Sequence, residues 1–262
     1  IGGGRSRAVA FLVYLSVPLP YDALREGRLT PLAIYALLPW LAKRMAVSQG
    51  VSPYGSIGGQ PGPGIKERSL LTNGLLTGLL LALGIALDPV FLIPFLTVFL
   101  GLFAGSLLSG KTIGINRLLK SFYLSIGVAS LLHFPLIIDL LTGRSASSLI
   151  GFEAWRKGTL GPSGIFNLDT GSFTNSSFTW TLLIVAVFAL VFGKEKHLFL
   201  GVRSWLIIIF GFFAVWFADQ GWWPGRTPEE ETLFVPVAVG LAWASAIATA
   251  GMGSDLADPN PK

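Results

Sequence analysis

Residues 69–87 and 89–108 are two apolar runs separated by a single charged residue, Asp88. A helix needs about 20 apolar residues to cross the hydrocarbon core of a bilayer, and both runs come close to that length. The segments 121–141, 178–192, 198–218 and 233–251 have the same character. They are built of Leu, Ile, Phe, Ala and Gly with Pro at several points, and Gly and Pro are commoner in transmembrane helices than in soluble ones. The runs 8–20 and 31–42 are shorter. Their length suits a short span, a re-entrant pair or an interfacial helix. The pattern predicts an all-α fold: a polytopic transmembrane helical bundle of about six to eight membrane segments.

Composition closes off the soluble alternative. Only 13% of the 262 residues are charged and 52% are hydrophobic, whereas a soluble domain carries about 25% charged residues. Cysteine is absent, which excludes disulfides, thiolate metal sites and a cysteine nucleophile. The chain opens on Ile1, three glycines, Arg5 and Arg7, and Pro18 and Pro20 end the first apolar run. Without a small-residue cleavage site this is not a signal peptide, and the sequence reads as a fragment of a longer protein. It forms one integral-membrane module, 1–262. A flexible Gly/Pro-rich loop occupies 47–68 and a long loop occupies 142–177.

Charge sets the expected orientation. With 43–68 in the cytoplasm and sides alternating from there, Arg5, Arg7, Lys43, Arg44, Lys66, Arg68, Lys111, Arg117, Lys120, Lys194, Lys196, Arg203 and Lys262 fall inside, 13 of the 19 basic residues. Arg25, Arg28, Arg144, Arg156, Lys157 and Arg226 fall outside. The positive-inside rule favours this arrangement. It predicts a multi-pass protein of the inner (plasma) membrane with cytoplasmic loops 43–68, 111–120 and 194–203, and 142–177 outside. Most acidic residues, including Asp22, Glu26, Asp88, Asp139, Asp169, Asp219 and Glu229 to Glu231, then face outward. The sequence pI of 9.6 does not indicate nucleic acid, because the basic residues sit in short loops beside apolar runs. Anionic lipid headgroups are the expected partners.

One motif matches a phosphate-binding loop: Gly105-Ser-Leu-Leu-Ser-Gly-Lys-Thr112. That loop needs a strand before it and a helix after it, so that backbone N–H groups surround the phosphates. The Leu- and Phe-rich run 89–104 reads instead as a spanning helix that exits at Lys111, so no nucleotide is expected there.

The candidate site residues lie elsewhere. Residues 21–28, Tyr-Asp-Ala-Leu-Arg-Glu-Gly-Arg, place Asp22, Arg25, Glu26 and Arg28 in a tight turn between two membrane segments. Arg25 and Arg28 could hold a phosphate with Asp22 or Glu26 as a general base; an amphipathic turn with internal ion pairs is the alternative. Trp155 and Arg156 would suit a sugar-phosphate ligand, or a membrane interface. His133 is an ionisable residue inside an apolar run, a functional candidate or a neutral ring bonded within the bundle. Asp139 reads as a solvated helix end. Trp216, Trp222 and Trp223 around Asp219 suit an aromatic belt or sugar stacking. Glu229 to Glu231 read as a solvated acidic run; as neighbours on one helix they would not converge on a cation. No metal-ligand spacing is present and no cofactor is expected, with a divalent cation unsupported by any motif.

LPYDALREGRLTPLAIYALLPWLAKRMA (19–46), LLHFPLIIDLL (131–141), FNLDTGSF (166–173) and WWPGRTPEEETLFVPVAVGLAWASAIA (222–248) resemble, in the same order, segments of large actinobacterial multi-pass membrane glycosyltransferase-like proteins. The resemblance implies the membrane portion of a family-two-type glycosyltransferase in cell-envelope polysaccharide or glycolipid assembly, with a polyprenyl-phosphate sugar as donor. It transfers no catalytic residue onto this chain, and no Asp-x-Asp nucleotide-sugar motif is present. Two other functions stay open: a transporter or flippase of lipid-linked glycans, and a non-catalytic anchor for a separate catalytic domain.

Overall fold

The computed structural model describes residues 4–49, 70–108, 114–141, 160–170, 176–191, 195–222 and 229–257. Among these residues every regular element is helical, and no strand occurs. In chain order the helices are α1 (Gly4–Ser16), α2 (Leu19–Arg25), α3 (Leu29–Ser48), α4 (Leu70–Leu87), a 3₁₀ turn (Pro89–Phe91) leading into α5 (Leu92–Leu108), α6 (Ile115–Leu132), α7 (Phe134–Leu141), α8 (Gly161–Phe166), α9 (Ser176–Val191), α10 (Glu195–Asp219) and α11 (Glu230–Ala257).

Four described segments are long and apolar enough to cross a membrane: Leu70–Leu87, Pro89–Leu108, His197–Asp219 and Glu230–Met252. The first of them is built inside out. Leu71, Leu75, Leu79, Leu83 and Leu87 recur every four residues and are each at least 46% exposed. The opposite face buries Asn73, Gly74, Thr77, Gly78, Ala82 and Gly84, with Leu81 as its one leucine. A helix in water puts such leucines inward. One surrounded by acyl chains gains nothing by hiding them, and packs through small residues instead.

Helix α11 is the hub. Residues 231–242 are buried without interruption, and α11 packs against α10, α1, α9, α3, α5 and α2. Close approach depends on glycine. A Cβ on Gly101 would stand 2.7 Å from Ile207 Cα, and one on Gly240 would stand 2.9 Å from the Ser204 carbonyl. Buried hydroxyls satisfy themselves one turn back. Thr77 donates to Asn73 O at 2.7 Å, Ser106 to Leu102 O at 2.7 Å, and Ser245 to Leu241 O at 2.8 Å. In an apolar solvent no water could take their place.

Several expected boundaries move. The run 31–42 lengthens into the 20-residue helix α3, because Leu29, Thr30 and the stretch 43–48 continue the helix. The run 121–141 is two helices: α6 begins at Ile115 and ends at His133, whose ring Nδ1 stands 3.0 Å from Ala129 O. Pro135 follows, and it has no N–H to give the Leu131 carbonyl one turn back, so the hydrogen-bond ladder is interrupted here and α7 starts anew at Phe134. Within the expected long loop 142–177, residues 161–166 form the one-turn helix α8. The loop 47–68 is helical at its first residues, and positions 50–69 lie outside the described residues.

Candidate functional site: an acidic cluster at one end of the bundle

The cluster is assembled from five chain segments that meet at one end of the helices. Pro18 and Pro20 end the first run and start the short α2. Gly27 turns the chain out of it with φ +70°, a conformation glycine adopts without Cβ strain. The Gly27 N–H donates to Leu24 O and the Arg28 N–H to Ala23 O, so the turn is closed by its own backbone. This sets Asp22, Glu26 and Arg28 around the start of α3.

Asp22 is buried, 1% exposed, and accepts a 3.0 Å hydrogen bond from Thr170 Oγ1, 148 residues away. Arg28 joins two carboxylates. Its Nη1 donates to both oxygens of Glu231, at 2.8 and 3.0 Å, and its Nη2 pairs with Glu26. Glu231 is 1% exposed, while Glu26 remains open to solvent. The structure thus joins Glu26 and Arg28 as an ion pair of the turn. The turn is more than an amphipathic turn with internal ion pairs, because Asp22 and the Arg28–Glu231 contact tie it into the bundle. Arg25 stands exposed on the last turn of α2. Trp155 and Arg156 lie outside the described residues, as does the side chain of Asp139.

The remaining acids complete the cluster. Glu229 precedes α11, and its charge interacts with Glu231, Arg28, Asp88 and Glu26. Burial and the Glu231 carboxylate push its own carboxyl above the ordinary glutamate range, with Arg28 pulling the other way. One Glu229 oxygen is buried without a hydrogen-bond partner. Asp88 caps the 3₁₀ turn by accepting from Val90 N at 2.9 Å. Burial raises its carboxyl too, against that hydrogen bond. Glu230 interacts with Glu231, Asp169, Arg28 and Asp219, and Asp219, 2% exposed, accepts from Leu160 N at 3.4 Å. The solvated acidic run expected at 229–231 is therefore wrong for Glu231. One helical turn spreads the three side chains in different directions, and one of them points inward onto Arg28.

Among the described residues no group of three or more His, Asp or Glu side chains could hold a metal ion. An aromatic patch flanks the cluster on α10. Trp222 stands edge-on to Trp216 at 5.1 Å and to Phe217 at 5.7 Å between ring centroids. The phosphate-loop match has a different setting. Its first residues, Gly105 to Leu108, close α5 in helical conformation, so the strand that such a loop requires is replaced by a helix.

No family model, curated protein or solved structure matches this chain.

Sequence reasoning singled out Asp22, Glu26 and Arg28 because charges are rare here. It missed Glu231 as the partner of Arg28 and Thr170 as the partner of Asp22. The one available signal was that glutamates are costly beside an apolar helix unless they are paired.

Proposed function

We propose that this chain is the membrane portion of a glycosyltransferase-like protein of cell-envelope polysaccharide or glycolipid assembly, with the acidic cluster as its reaction site. The supporting observation is Asp22: a carboxylate buried at the end of an apolar bundle, held by Thr170 and neighboured by a second arginine, Arg25, on the same short helix. Burying a carboxylate costs stability that one hydrogen bond only partly offsets, and an ionisable residue kept in an apolar bundle is a functional candidate for that reason.

The chemistry is a displacement at an anomeric carbon. Asp22 accepts the proton of an acceptor hydroxyl as that oxygen bonds to the sugar. The bond from the anomeric carbon to the phosphate oxygen breaks, and the polyprenyl phosphate leaves with the electron pair. Arg28 has five N–H donors; Glu231 and Glu26 engage some of them, and the phosphate takes the rest or displaces the more exposed Glu26. Arg25 supplies a second cation. Glu26 is the alternative base. The lipid-linked donor enters sideways from the bilayer, and Trp216 and Trp222 give it a sugar-stacking wall.

The remaining assignments belong to the same reading. Six to eight segments cross the inner (plasma) membrane, adding two to four of α1, α3, α6 and α9 to the four long apolar ones. The acidic cluster faces outward. The stretches 43–68, 111–120 and 194–203, expected as loops but occupied in part by the end of α3 and the first turns of α6 and α10, face the cytoplasm, against anionic headgroups. No nucleotide binds at residues 105–112. The test is sugar transfer from a polyprenyl-phosphate donor by the protein in vesicles. Asp22→Asn should abolish transfer while leaving the protein folded in detergent; unchanged transfer removes Asp22 from the mechanism.

The break at His133 between α6 and α7 favours a second reading, a flippase for lipid-linked glycans, since transporters place substrates at interrupted helices. Movement of a labelled glycolipid across vesicles without sugar transfer would select it. Full transfer activity without these helices would leave them only an anchoring role.

A further inference from the structure

The end of the bundle away from the acidic cluster holds a charge that takes no part in the sugar-transfer step proposed above. Arg203 lies on α10, 16 residues before Asp219, which separates the two by about 24 Å along the helix axis. It is 3% exposed. Among the described residues no carboxylate pairs with it, and its Nε is buried without a hydrogen-bond partner. Arginine cannot escape this situation by losing its proton, so a buried guanidinium needs an anion.

Its surroundings are built to hold it. The side-chain stem lies across Gly105 of α5: a Cβ there would fall 2.5 Å from Arg203 Cγ and 2.8 Å from Arg203 Cα. Helical side chains lean toward the N-terminus of their own helix, which carries the guanidinium toward the near end of α10 and headgroup depth. Beside Gly105, Ser106 receives a 3.2 Å hydrogen bond from Gln49 Nε2. Gln49 is itself 3% exposed. The resemblance of residues 105–112 to a phosphate loop therefore fails in backbone geometry, yet its first glycine lets a buried cation reach this end.

We infer that Arg203 is the anion-binding residue of a second site, one that takes a phosphate-bearing ligand through the forked geometry of its guanidinium. The phosphate belongs either to a lipid headgroup or to a free ion, and the two sources separate experimentally. The full chain in neutral detergent is titrated with inorganic phosphate in one arm, at constant ionic strength. In the other arm it is mixed with phosphatidylglycerol-doped micelles, and retained lipid is counted by native mass spectrometry, with a phosphate-free galactolipid as control.

Saturable binding of one equivalent in either arm, lost in Arg203→Gln and kept in Arg5→Gln on the exposed start of α1, supports the site; the responding arm identifies the source. Arg203→Lys keeps the charge and most of the stem, so it guards against a variant that does not fold. It should bind about tenfold more weakly, because an ammonium cannot make the forked contact. No binding in both arms, equal retention of the galactolipid, or undiminished affinity in Arg203→Lys overturns the assignment.

Discussion

Arg28 and Glu231, 203 residues apart in sequence, share two hydrogen bonds of 2.8 and 3.0 Å. The contact fastens the turn between α2 and α3 to the first turn of α11. Arg28→Ala leaves Glu231 buried without its cation. A lost hydrogen bond to a charged group costs roughly 1.5–3 kcal/mol, and the partial exposure of Arg28 places the expected loss toward the lower figure. Glu231→Gln keeps an acceptor for the guanidinium and should cost less. Chemical denaturation in mixed micelles measures both, and equal stability of Arg28→Ala and the parent would show that the contact contributes nothing.

Glu229 and Asp88 make the cluster sensitive to pH. Burial pushes both carboxyls above their ordinary values of 4.5 and 3.8. A raised folded-state pKa means that the folded protein prefers the neutral acid. The contribution to stability is therefore complete below the ordinary values and is lost as pH rises through the raised ones. Thermal stability in detergent should fall as pH is increased from 4.5 toward neutrality. Glu229→Gln, neutral at every pH, should flatten that slope. A slope that is unchanged in Glu229→Gln assigns the effect to other groups.

Helix contacts through glycine predict a pair of opposite results. Gly101→Ala forces a methyl against the backbone of Ile207 and should cost about 1–3 kcal/mol by overpacking. On α6 nothing lies within 4 Å of a Cβ on Gly127. There alanine should be neutral or stabilising by up to about 1 kcal/mol, from helix propensity alone. Melting temperatures of the two variants, measured side by side, check the packing of α5 on α10.

Tyr14 on α1 and Tyr35 on α3 stack at 4.1 Å between ring centroids, and each hydroxyl donates to the other's backbone carbonyl. Tyr14→Phe keeps the stack and removes one donor. About 1 kcal/mol is the expected loss, with Tyr35→Phe similar. Double substitution tests whether the two bonds act as one clamp.

The helices were legible in the sequence because apolar length is a one-dimensional property. The runs 69–87 and 89–108 sit within a residue or two of α4 and of the 3₁₀ turn with α5. The break at His133 was less legible, since Phe134–Leu141 is apolar on both sides of Pro135 and composition does not register a change of axis. The site was half legible. Asp22, Glu26 and Arg28 stand out as charges in an apolar setting, but pairing Arg28 with Glu231, or Asp22 with Thr170, requires the fold to bring together positions 203 and 148 residues apart. Arg203 went unnoticed because it counted only as one more positive charge near the cytoplasmic side. Its burial against Gly105 is a property of two helices and of neither alone.

The position of α11 in the bundle constrains biogenesis. Every helix that it packs against precedes it in the chain, so their common partner is the last of these elements to be synthesised. The α4–α6 and α5–α10 pairs pack without it, whereas Arg28 has no Glu231 until α11 is made.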